Sequence, residues 1–99
     1  MRTYTVKLLP TFFKTWSKQV GFLQSLNYNL PSKFISRFLK SLNYLKLFPN
    51  GFQSLESTIY RKLVINKKYV IIYFVDNTQR NVYVKYVFST KQDYLKLIS

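Results

Sequence analysis

The sequence predicts an α+β fold: a small antiparallel sheet built in the order strand, helix, helix, strand, strand, strand, with a two-helix hairpin packed on one face. Three observations carry this reading. Apolar residues recur at helical spacing through the first half, β-branched and aromatic residues dominate from residue 57 onward, and Pro49, Asn50 and Gly51 punctuate the change. The chain has 99 residues, 47% of them hydrophobic, with nine Phe, nine Tyr and one Trp, which suits one packed domain over residues 1–99.

Each element follows from local pattern. "RTYTVKLLP" alternates polar and apolar residues and stops at Pro10, as a short first strand does. Thr11 stands where a helix N-cap belongs, and Phe12, Trp16, Val20 and Leu23 then fall on one helical stripe flanked by Phe13 and Leu26. After Asn27, Asn29 and Pro31, "PSKFISRFLKSLNYLKLF" sets Ile35, Phe38, Leu39, Leu42 and Leu45 on one face of a second helix antiparallel to the first. "FLQSLNY" and "FLKSLNY" form a near repeat, but two copies without a third reflect a shared amphipathic pattern rather than an array.

"STIYRKLVI", "KKYVIIYFVD" and "RNVYVKYVFS" read as three consecutive strands, with hairpins at Asn66-Lys67 and at Asp76 to Gln79. The run Tyr69 to Val75 is apolar throughout and predicts a central strand buried on both faces. In the last strand, strict alternation puts Val82, Val84, Tyr86 and Phe88 on one face and Tyr83, Lys85, Val87 and Ser89 on the other. "KQDYLKLIS" adds a helical turn or a tail. With helices on one side only, the other face of the sheet is left partly open.

Sixteen Lys and Arg against three acidic residues give a formal charge of +13, so a polyanion is the natural partner. Part of the lysine excess accompanies abundant Asn, Ile, Tyr and Phe, a compositional bias. The absence of Cys and His excludes thiolate and serine–histidine catalysis and the usual zinc sites, and no cofactor or metal is expected. No apolar run approaches a membrane span or a signal peptide, which predicts a cytoplasmic protein with no membrane partner.

A basic open face with interleaved tyrosines suits RNA, because cations neutralise phosphates while rings stack on unpaired bases. Lys62, Lys85 and Tyr83 are the RNA-binding candidates; of Arg61 and Lys62 only one can line that face, since neighbours on a strand point oppositely. Tyr69, Tyr73 and Tyr86 read better as packing residues. Asp93 suits a local cap or a salt bridge to Lys91 or Lys96 as well as it suits chemistry, and Glu56 stands at a strand entrance.

The run "YRKLVINKKYVIIYFVDNTQRNVYVKYVFSTKQDY", after a helical hairpin and "LFPNG", resembles the RelE/ParE superfamily of type II toxin–antitoxin toxins over nearly the whole chain. That family includes ribosome-dependent mRNA endonucleases. The resemblance implies catalytic roles for Arg61, at the first basic position of the meander, Lys91, the cation past the last strand, and Tyr94, near the terminal aromatic. Leu63 and Val70 stand where further basic residues are expected, a departure that keeps open the ParE-type branch, which poisons DNA gyrase. The implied partners are a cognate acidic antitoxin and mRNA on the ribosome, or alternatively gyrase. A noncatalytic nucleic-acid-binding module is the reading from a different class.

Overall fold

The structure, a computed structural model, describes residues 3–27 and 29–98; Arg2, at the head of the expected first strand, and Tyr28, which closes the first copy of the near repeat, lie outside them. Strand β1 (Thr5–Leu8) leads into helices α1 (Pro10–Leu26) and α2 (Leu30–Leu47), and a single 3-10 turn (Pro49–Gly51) follows. Strands β2 (Arg61–Ile65), β3 (Tyr69–Asp76) and β4 (Asn81–Ser89) then form a meander, closed by the short helix α3 (Tyr94–Ile98).

The sheet order is β1-β4-β3-β2. The expected antiparallel sheet is therefore mixed: β2, β3 and β4 pair antiparallel, whereas β1 runs parallel to β4, with Val6 opposite Val82 and Leu8 opposite Val84. Alternation within β1 specifies its buried face but says nothing about the direction of its neighbour.

Pro10 opens α1 instead of merely ending β1, because a proline at the first helical position gives up an N–H that has no partner there anyway. The N-cap is Leu9, not Thr11, and it makes no side-chain cap. Thr11 instead continues the sheet. Past the end of β1, the Leu9 N–H donates to the Val84 carbonyl (3.0 Å), the Thr11 hydroxyl donates to the Lys85 carbonyl (2.9 Å), and the Val87 N–H donates to the Thr15 hydroxyl (3.0 Å). The first two turns of α1 thus satisfy strand groups that β1 is too short to reach.

The helices bury a narrower stripe than the pattern suggested. Phe12, Leu23, Phe34, Phe38 and Leu45 enter one core with Leu63, Ile65, Ile71, Tyr73, Val82, Val84 and Val87, and Trp16 and Val20 pack against it. Phe12 stacks on Phe38 at 5.3 Å and Trp16 on Phe34 at 5.0 Å. Each such side chain removed from water contributes about 1.5–3 kcal/mol. Phe13, Leu26, Ile35 and Leu39 stay exposed; on α2 the inward stripe runs Phe34, Phe38, Ser41, Leu45, one residue off from that expected for Ile35 and Leu39.

Strand β3 is the central strand, fully buried from Val70 to Tyr73. The β2–β3 turn carries positive φ at Asn66 (51°) and Lys67 (61°), the backbone that a tight hairpin requires. Strand β4 departs from strict alternation. The register slips between Ile72, opposite Tyr86, and Tyr73, opposite Val84, so Lys85 is an extra residue in a β-bulge. Beyond the bulge the faces exchange: Val87 joins Val82 and Val84 in the core under the helices, while Tyr86 and Phe88 turn to the opposite face with Val70 and Ile72.

Candidate nucleic-acid interface

Pairing register arranges the sheet face opposite α1 and α2 into rows across the strands. One row runs Phe74, Tyr83, Lys7 over β3, β4 and β1, and Tyr60, one residue before β2, extends it with its ring 6.0 Å from that of Phe74. The next row is Lys62, Ile72, Tyr86, and the third is Val64, Val70, Phe88. Lys85 rises from the bulge between the first two rows, where a bulge allows consecutive side chains to share a face.

Two lysine–tyrosine pairs stand on this face. Lys85 Nζ donates to the Tyr60 hydroxyl at 2.8 Å and lies 5.2 Å from the Tyr60 ring centroid and 5.5 Å from that of Tyr86. Lys62 Nζ donates to the Tyr94 hydroxyl at 3.0 Å, with the Tyr94 ring centroid 5.7 Å away. In both pairs the phenol oxygen accepts, so its own O–H remains available to a third group. The bond to Tyr60, against a smaller opposing push from burial, holds the Lys85 ammonium above the ordinary lysine range. Lys85 is thus a persistent positive charge at neutral pH.

One end of the face is roofed. Leu55, Tyr60, Tyr86, Tyr94 and Ile98 pack with Val70, Ile72 and Phe88 into a second small core. Beside it opens a groove of about 580 Å³ whose walls include Glu56, Thr58, Lys62, Tyr94 and Ile98. Val70, where the resemblance placed a basic residue, has 0% exposure beneath this roof, and Leu63 is buried under the helices, so a charge at either position would need a different packing.

Of the residues singled out in the sequence, Lys62, Tyr94, Lys85 and Tyr83 share this face. Arg61 does not join them. It pairs with Tyr73 on the helix side, and its guanidinium donates to the Phe52 carbonyl at 2.7 Å. Lys91 is exposed on the turn after β4, its N–H donating to the Ser89 hydroxyl at 3.2 Å. The rest of that turn is clamped: Gln92 accepts from the Ser89 N–H (3.0 Å) and from buried Gln19 of α1 (3.2 Å), and the Thr90 hydroxyl bonds the Lys67 carbonyl at 2.9 Å. Asp93 pairs with Lys96 at 3.7 Å. "STKQDY" is therefore mostly a fastening that delivers Tyr94 to Lys62.

Tyr69 and Tyr73 are packing residues as expected. Burial raises the pKa of both, Tyr69 beside Phe34 (4.5 Å) and Tyr73 with its hydroxyl donating to the Pro49 carbonyl at 2.6 Å. Tyr86 packs as well, but in the second core on the opposite face, stacked on Phe88 at 5.1 Å and beside the Lys85 ammonium. Tyr60, Phe74 and Lys7 were not singled out as site residues, because their membership depends on cross-strand register.

No protein-family model and no curated protein matches this chain. Among solved structures, a chain of the toxin–antitoxin complex RelBE2 from Mycobacterium tuberculosis matches it with a TM-score of 0.65, covering 88% of this chain and 98% of that one at 16% sequence identity. The two chains share a fold. That likeness is one of fold, and the chemistry rests on this chain's own side chains. Among the described residues, no helix is long and apolar enough to cross a membrane.

Proposed function

We propose that this chain is the toxin of a type II toxin–antitoxin pair, acting in the cytoplasm as a ribosome-dependent mRNA endonuclease restrained by an acidic antitoxin. The observation that supports this most is the presence of two lysine–tyrosine pairs, Lys62–Tyr94 and Lys85–Tyr60, on the sheet face opposite α1 and α2. RNA cleavage without a metal uses the ribose 2′-hydroxyl as nucleophile: the 2′-oxygen bonds to phosphorus, the bond to the 5′-oxygen breaks, and the products are a 2′,3′-cyclic phosphate and a 5′-hydroxyl. Such a step needs positive charge on the non-bridging oxygens, an acceptor for the 2′ proton and a donor to the leaving oxygen.

Lys62 and Lys85 supply the charge. The hydroxyl of Tyr94, its oxygen already bonded by Lys62, gives its proton to the leaving 5′-oxygen. Glu56 lines the same groove as Lys62 and Tyr94 and takes the 2′ proton. Arg61, turned to the Phe52 carbonyl, and exposed Lys91 act in this reading through long-range attraction for RNA.

Primer extension on cellular mRNA after brief induction tests this. Wild type, Arg61→Ala and Lys91→Ala are expected to give new ends within reading frames, while Lys62→Met and Tyr94→Phe reduce them about 100-fold. Growth arrest with intact mRNA in the wild type sinks the nuclease reading. It favours instead the gyrase-poisoning branch, which the apolar side chains at Leu63 and Val70 and the turned-away Arg61 also support.

A further inference from the structure

Phe74, Tyr83 and Lys7, beyond Tyr60 in the first row, lie outside the groove that Lys62 and Tyr94 line, yet they are built in a consistent way. Phe74 and Tyr83 are half-buried rings stacked at 5.0 Å with planes 22° apart. One face of the Tyr83 ring is thus occupied by Phe74. Over its other side lies β1, whose residues on this face are Thr5 and Lys7, both exposed and neither aromatic. Lys7 Nζ is 5.9 Å from the Tyr83 centroid, at the outer limit of a useful cation–π contact, and its side chain is long and flexible. The aromatic stack therefore ends at Tyr83 beside an edge strand, beneath a mobile cation.

We propose that this end is a nucleotide subsite: one unpaired base of single-stranded RNA stacks on Tyr83 over β1, continuing the Phe74–Tyr83 stack, while Lys7 swings from the ring to the phosphate of that nucleotide. The inference rests on the RNA reading of the open face and adds where, and in what state, the strand is held. A duplex cannot use the subsite, since its bases are already stacked on one another. Strands one spacing apart are separated by about 4.8 Å, so this base lies within roughly two spacings of Lys85 Nζ on the neighbouring rows, close enough for one short strand to engage both. No base identity is read, because every base offers a π face.

Binding, not cleavage, tests it. A fluorescently labelled single-stranded oligoribonucleotide, in a form whose 2′-hydroxyls are methylated so that it cannot be cut, is titrated with the full chain by anisotropy. Tyr83→Leu is expected to weaken binding about ten-fold and Tyr83→Phe to leave it within two-fold, since the ring and not the hydroxyl stacks. Lys7→Ala should lower the slope of log K against log salt by about 0.7, the value of one phosphate contact on a single strand. An oligonucleotide series with one abasic position moved along the strand should reproduce the Tyr83→Leu loss at one position in wild type and show no such position in Tyr83→Leu. Wild type that binds the strand with Tyr83→Leu unchanged overturns the subsite alone. Equal binding of duplex and single strand also overturns it, and wild type that binds no RNA overturns the parent reading as well.

Discussion

The two faces of one sheet are built from the same strands and differ in what their aromatic rings touch. Under α1 and α2, Phe12, Trp16, Phe34, Phe38 and Tyr69 pack ring against ring with aliphatic neighbours. On the other face, Tyr60, Tyr83, Tyr86 and Tyr94 each have a lysine over the ring, and the stacked Phe74 and Phe88 support them. One face spends its aromatic surface on exclusion of water; the other keeps polar tips wet and cations close. Under the helices a cation meets a ring at the margin of the core, where the Arg80 guanidinium lies 4.4 Å from the Tyr4 centroid, while the guanidinium of Arg61 is satisfied by a carbonyl. The contrast implies that substitutions on the two faces should separate stability from activity.

The largest effect belongs to the covered face. Phe12 is 2% exposed and stacked on Phe38, so Phe12→Ala should cost about 3–5 kcal/mol, readable as a lowered midpoint in urea. Lys62→Met, on the open face, should shift stability by about 0.5 kcal/mol or less while strongly reducing the proposed cleavage. If the two variants lose comparable stability, the division of labour between faces is wrong.

A smaller effect tests the seam between helix and strand. The Thr15 hydroxyl accepts from the Val87 N–H at 3.0 Å and donates to the Phe12 carbonyl at 2.9 Å. Thr15→Val preserves shape and removes both bonds, leaving a part-buried strand N–H without its acceptor, at a cost of about 1–3 kcal/mol. Amide exchange at Val87 should accelerate more than at Val82, which has β1 beside it. Thr15→Ser, which retains the hydroxyl, should recover most of the loss.

Much of the fold was legible because pattern and turn chemistry agree. The hairpin at Asn66-Lys67, the doubly buried β3 and the two amphipathic helices all follow from local spacing. The bulge was not legible, and it decided the site. Strict alternation through "NVYVKYVFS" sends Tyr86 and Phe88 to the same face as Val82 and Val84, whereas the extra residue Lys85 exchanges them. No residue type marks such a slip; it shows only when both strands are laid side by side. The row of Tyr60, Phe74 and Tyr83 was half legible. Counting outward from a two-residue turn at Asn66-Lys67 places Tyr60 opposite Tyr73, whereas the observed register, with Ile65 opposite Tyr69, adds one residue to the loop and brings Phe74 there. Which of Arg61 and Lys62 lines the open face was left undecided by the sequence, because one residue along a strand is the difference between the two faces.

Alkaline pH sharpens the same comparison with the smallest and most specific effect. On the covered face, burial raises the Tyr73 phenol well above its ordinary 10.0, with Arg61 pulling the other way. On the open face, the hydrogen bond to Tyr60 raises Lys85 above its ordinary 10.5. In both cases the folded state holds a proton more tightly than the unfolded one. Their contributions are therefore full below pH 10 and are lost as pH rises through the folded values. Stability measured in urea should be flat from neutrality to about pH 9.5 and fall beyond, with Tyr73 contributing up to ~1.4 kcal/mol per pH unit while only the unfolded phenol ionises. Tyr73→Phe should lose about 1 kcal/mol at pH 7 with its bond to the Pro49 carbonyl, yet fall less steeply than wild type between pH 10 and 11. Lys85→Met, on a wet surface, should follow the wild-type slope nearly unchanged. Identical slopes for wild type and Tyr73→Phe would show that the phenol under the helices meets water as freely as those on the open face.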